Sequence, residues 1–187
     1  MKIKYNAPTV LTFALASAVV LVLSQTVMRH LTEYWFMVPG RGNFSPLSVR
    51  SWVTLFTHVL GHANWHHLVA NFSFILLIGP ILEETYGSRP LFIMICITAL
   101  VTGALNLLFF PTGLLGASGV VFMMILLASF TNFSKGEIPL TFILVLILYL
   151  GRELFNAFGD DNISQFAHIV GGFIGSLFGF FRVSVRR

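Results

Sequence analysis

A serine framed by small residues, a late histidine and a histidine–asparagine pair are the side chains in this sequence whose types suit acyl-transfer chemistry. Ser118 stands in Gly116-Ala117-Ser118-Gly119. A serine hydroxyl is a weak nucleophile until a base takes its proton and donors stabilise the oxyanion it creates. The tetrapeptide alone says little, since small residues are common in apolar helices and serine there often bonds its own backbone. Its surroundings say more. Pro111, Thr112 and Gly113 break the chain just upstream, which places Ser118 near a helix start. Free N–H groups and the positive end of the helix dipole gather at such a start.

Of the six histidines only His168 follows Ser118, in Ala167-His168-Ile169-Val170-Gly171. Gly171, Gly175 and Gly179 follow at intervals of four and line one helical face with glycine, which admits a closely packed neighbour. As a packing stripe this makes His168 an interfacial cap; as a seam against the helix of Ser118 it brings imidazole to hydroxyl, and both can hold. No Asp or Glu lies in the apolar body of a later span, so the implied form is a Ser–His dyad without a carboxylate. Phe122, four residues after Ser118, shares its helical face and either stacks on the imidazole or simply packs. His67 and Asn71 are likewise four apart, so imidazole and amide point together, as donors that complete an oxyanion hole would. Metal binding is the competing reading of His58, His62 and His66. There is no HExxH, no cysteine partner and no acidic residue in that run, and neutral asparagine is a weak ligand. Neither a metal nor another cofactor is expected.

The elements that must position these groups are apolar. The 187 residues are 56% hydrophobic and only 10% charged, with a mean hydropathy of +0.86. A soluble domain carries about 25% charged residues, and too few are present here to solvate a surface. About 20 apolar residues cross a bilayer, so the chain has room for roughly six spans in one membrane domain covering residues 1–187 and little else. Apolar runs fall at about 9–28, 66–82, 91–110, 114–130, 138–155 and 163–181, with a turn-rich first loop over about 29–57 containing Pro39, Gly40, Gly42 and Pro46. The first run exceeds a usual signal h-region of about 7–15 residues and reads as an uncleaved helix. Cys96, the single cysteine, reads as a buried packing residue in an apolar run.

The net charge of +4 does not point to nucleic acid, because the basic residues are scattered singly or sit at the ends. With both termini cytoplasmic the inner side holds Lys2, Lys4, Arg89, Lys135, Arg182, Arg186 and Arg187, against Arg29, Arg41, Arg50 and Arg152 outside, the bias expected of inward-facing basic flanks. The polar residues at the openings of the second and fourth runs are the ones that are costly at membrane depth and usually mark function.

His62-(four residues)-His67-(three)-Asn71, then Gly116-Ala117-Ser118-Gly119, then Ala167-His168-x-x-Gly171 together resemble the ordered signature of the rhomboid proteases, from about Trp52 to Phe181. That resemblance implies an all-α, six-helix membrane bundle of the bacterial form, set in the inner membrane with its active site opening outward. It implies an intramembrane serine endopeptidase with Ser118 as nucleophile and His168 as general base. His67, Asn71 and the Ser118 backbone N–H would stabilise the oxyanion; Gly116, Gly119, Phe122, His58, His62, Gly171 and Gly175 would support the site. The fifth helix and the loop around Gly159–Asn162 would act as gate and cap, and the partners would be single-pass membrane proteins within the bilayer. Glu83 matches the family's structural glutamate, whereas Thr85 replaces its arginine, Val53 follows Trp52 where arginine is common, and Phe122 replaces tyrosine. A catalytically inactive rhomboid-like binder of membrane clients would share the fold but typically lacks the serine or histidine, and a transporter would need paired charges within its spans.

Overall fold

Pro8 opens the first helix, α1 (Pro8–Thr26), at the position where its missing N–H costs nothing. The donors that follow it, Thr9 N and Val10 N, go to the two oxygens of the Glu83 carboxylate at 2.9 and 3.0 Å. Glu83 therefore caps α1 from another helix, at the end of the dipole that favours negative charge. In the computed structural model residues 3–130 and 162–185 are described, with 140, 143, 144, 147 and 148 between them. Apart from those positions and Asn162, the expected fifth span at 138–155 and the cap at Gly159–Asn162 lie outside the described residues.

The stretch expected to be a loop over 29–57 folds in part as helix: α2 (Leu31–Trp35) and α3 (Val49–Thr57), followed by a 3-10 turn at His58–Leu60. Its prolines and glycines confine the irregular backbone to the middle and leave both flanks free to coil. α3 turns Ser51, Thr54 and Leu55 inward and leaves Val49, Trp52 and Phe56 exposed along one face. Next comes α4 (Trp65–Tyr86), whose first turn is capped by Asn64 accepting from His67 N at 2.9 Å. Gly87, with φ +91°, turns the chain directly into α5 (Ser88–Phe109).

α6 (Ser118–Ser129) starts four residues later than the apolar run that contains it. Leu114 is occupied in an antiparallel bridge with Val38, N to O at 2.9 and 3.0 Å, and Gly116 at φ +111° breaks the helical path before Ser118. Every residue from Gly119 to Leu127 is buried, so α6 is apolar all round and sits at the centre of the bundle. α7 (Asn162–Val185) packs along it. Among the described residues the regular secondary structure is helical apart from that bridge, and three helices (α1, α4 and α5) are long and apolar enough to cross a membrane.

Candidate active site

α6 and α7 meet backbone to backbone. A Cβ on Gly171 would overlap the carbonyl oxygen of Gly119, one on Gly175 that of Met123, and one on Gly179 the Phe130 ring. From the other side, a Cβ on Gly119 would lie 3.2 Å from Ala167 O and 3.2 Å from Thr102 Cγ2. Ser118 precedes Gly119 and His168 follows Ala167, so the two polar residues flank the closest part of the crossing. Both are half-buried. Ser118 is the first residue of α6, where backbone N–H groups lack intrahelical partners. One turn on, Phe122 stacks on the His168 imidazole with ring centroids 4.3 Å apart and planes 8° from parallel. The stack fixes the ring plane against the same helix that presents Ser118.

The third wall comes from α4. Gly116 N donates to His58 O at 3.0 Å, and the side on which Gly116 would carry a Cβ is filled by His67: that atom would be 2.6 Å from Cε1 and 2.7 Å from Nε2. Glycine is required there twice over, by its positive φ and by the ring against it. Asn71 Nδ2 lies 3.9 Å from the same point and donates to His67 O at 3.1 Å, which uses one of the two amide N–H donors. The His67 and His168 imidazoles are close enough to interact electrostatically, so α4, α6 and α7 converge on one place.

Other residues singled out by the sequence act at a distance. His58 sits in the 3-10 turn, seven residues before α4 begins. Its Nε2–H donates to Ala99 O of α5 at 3.1 Å while its own carbonyl holds Gly116, so it braces α5 against the loop that leads to Ser118. His62 Nδ1–H donates to Leu60 O at 3.2 Å, and its ring meets His67 edge-on with centroids 5.0 Å apart. Burial lowers His58 to about 4; burial, with His67 close by, lowers His62 to about 4. Both rings are neutral at physiological pH, and His62 places no charge beside His67. Gly175 lies in the seam against Met123, about two turns along α7 from His168.

Three positioning residues escaped the sequence reading. Asn64 caps the helix that carries His67 and Asn71, and an asparagine three residues before the pair was its signal. Thr102 packs its methyl against Gly119. Asn106 Nδ2 donates to Thr112 O at 3.0 Å and holds the turn before α6; an amide inside an otherwise apolar run was the available clue.

A family model described as Rhomboid domain matches residues 49–185. The chain is 23% identical over 134 residues to rhomboid protease GlpG of Haemophilus influenzae, covering 70% of each chain. It is 22% identical over 163 residues to Rhomboid-like protein 11, chloroplastic, of Arabidopsis thaliana, covering 78% of this chain and 58% of the plant protein. The chain therefore spans little more than half the length of that plant relative.

Proposed function

The chain belongs to the rhomboid family, and from that footing we propose that it is an intramembrane serine endopeptidase working through a Ser118–His168 dyad. The observation that carries the reading is the α6–α7 crossing, where His168 is stacked on Phe122 one turn from Ser118. His168 takes the Ser118 Oγ proton as the oxygen attacks a peptide carbonyl, then gives it to the leaving amine; water hydrolyses the acyl-enzyme by the same route. The Ser118 backbone N–H, His67 and the second Asn71 N–H face the oxyanion. The proposed chemistry draws on these side chains, the Ser118 backbone N–H and water.

Depth makes the design necessary. The 12 residues of α6 span about 18 Å, against about 30 Å of hydrocarbon. One end of α6 thus stops inside the membrane, and the polar residues mark Ser118 as that end. Irregular backbone at such depth survives only when buried in protein or lining a wet cavity. Leu114, Gly116 and Ala117, just before Ser118, are buried, and the segment is tied through Leu114 to Val38 and through Gly116 to His58.

The wider reading is a single domain over residues 1–187 with six spans, both termini cytoplasmic, in a bacterial inner membrane with the site opening outward. Its substrates are single-pass membrane proteins that deliver an unwound segment from the bilayer. Reconstituted with a fluorogenic single-pass substrate, the wild type is expected to cleave it, and Ser118→Ala and His168→Ala to fall to background. Wild-type protein that binds the substrate without cutting it would instead establish an inactive client-binding member.

A further inference from the structure

A second feature lies away from the site, between α1 and α5. A cavity of about 420 Å³ opens there, within the range of roughly 300–1,000 Å³ typical of ligand pockets. Its body is apolar, walled by Phe13 and Ala16 of α1, Phe92 and Ile95 of α5, and Leu60 of the 3-10 turn above. Thr9, Thr12 and Ser88 line it at the end where both helices begin. The two threonine hydroxyls are ordered: Thr9 Oγ1 donates to Ser88 O at 3.0 Å, and Thr12 Oγ1 pairs with Tyr5 Oη at 2.9 Å. From Ser88 to Ile95 the groove runs about 10 Å along α5 at 1.5 Å per residue. It is polar at the helix starts and apolar towards Leu60, which is the gradient of a lipid entering a leaflet. Lys4 and Arg89, both exposed, are next in sequence to groups at the polar end: Lys4 precedes Tyr5, whose hydroxyl meets Thr12, and Arg89 follows the lining residue Ser88. Of the acidic residues at that end, Glu83 is turned inward onto the first turn of α1, leaving Glu84 as the exposed carboxylate. One wall, α1, lies outside the segment that matches the family model.

We propose that this groove holds one acyl chain of an anionic phospholipid, drawn from the leaflet on the N-terminal side, with its phosphate against Lys4 and Arg89. An apolar void between two membrane-crossing helices forfeits dispersion contacts on its lining, and the surrounding acyl chains are the material at hand to fill it. Since lipid tails are as apolar as the walls, selectivity comes from the headgroup: about fivefold in binding for each basic residue it meets. The lipid would clamp α1 to α5. The proposal rests on the membrane placement and not on proteolysis, so either can fail without the other.

The test is native mass spectrometry of the full chain, released from detergent with equal amounts of phosphatidylglycerol and phosphatidylcholine carrying the same acyl chains. Wild-type protein is expected to keep one phosphatidylglycerol in preference to phosphatidylcholine. In Lys4→Gln/Arg89→Gln, at two exposed positions, the preference should fall to near parity with lipid still bound. In Ala16→Trp, where an indole fills the groove, retention of both lipids should fall by about tenfold. Equal retention of the two lipids by the wild type would overturn the headgroup claim, and undiminished binding in folded Ala16→Trp would overturn the groove.

Discussion

The two sides of the candidate site are held by opposite means. On the α6–α7 side the backbones themselves touch, at Gly171 on Gly119 and Gly175 on Met123, and shape sets the position of His168. On the α4 side hydrogen bonds do the holding: Asn64 to His67 N, Asn71 to His67 O, His58 to Ala99 and Gly116. Packing of backbone on backbone tolerates no added atom, whereas a polar scaffold can lose one member and keep its outline. The residue proposed to carry the base is therefore set by steric fit, and the residues proposed as donors are set by a network.

Breaking the steric side should give the largest effect. Gly171→Val places a branched side chain where a carbonyl oxygen already sits. Overpacking typically costs about 1–3 kcal/mol and more where backbone must shift, so the variant is expected to lose both its cooperative melt in detergent and its activity. Wild-type melting would show that the seam has slack. His67→Ala and Asn71→Ala attack the polar side: each should lower kcat by about 10²–10³, the usual worth of one oxyanion donor, with melting little changed. Unaltered kcat in both variants would remove them from that role.

Acid sharpens the contrast further. His58 and His62, each lowered to about 4 from an ordinary value near 6.5, are buried neutral. Unfolded chains take up protons first as pH falls, so the contribution of these two rings should be flat above pH 6.5, decline between 6.5 and 4, and level off below. The loss is at most about 3 kcal/mol per histidine. Melting temperatures across that range check it, and a flat profile would mean the two rings are solvated. The glycine contacts of the seam, Gly171 on Gly119 and Gly175 on Met123, contain no ionisable side chain, so the loss belongs to His58 and His62.

Local spacing carried the parts of the site that lie within one helix. Four residues separate Ser118 from Phe122 and His67 from Asn71, and a 3.6-residue period puts each pair on one face whatever the rest of the chain does. The glycine interval in α7 likewise showed its packing face. Contacts between distant segments were invisible. Glu83 capping Thr9 and Val10, His58 reaching Ala99, and Val38 pairing with Leu114 join residues 41 to 76 apart, and no local pattern encodes such partners. The first loop misled for a related reason: its prolines and glycines cluster in the centre, and the turn signal spread over flanks that are helical as α2 and α3. The apolar run begins four residues before α6 because Leu114 to Ala117 are apolar or small, and only the bridge and the positive φ of Gly116 exclude them from the helix.

One measurement bears on the central claim most directly: labelling of the purified membrane protein by a fluorophosphonate, with the modified peptide located by mass spectrometry. The adduct is expected on Ser118, absent in Ser118→Ala and strongly reduced in His168→Ala. An adduct on another serine, or labelling that persists in Ser118→Ala, would contradict the dyad and move the nucleophile elsewhere.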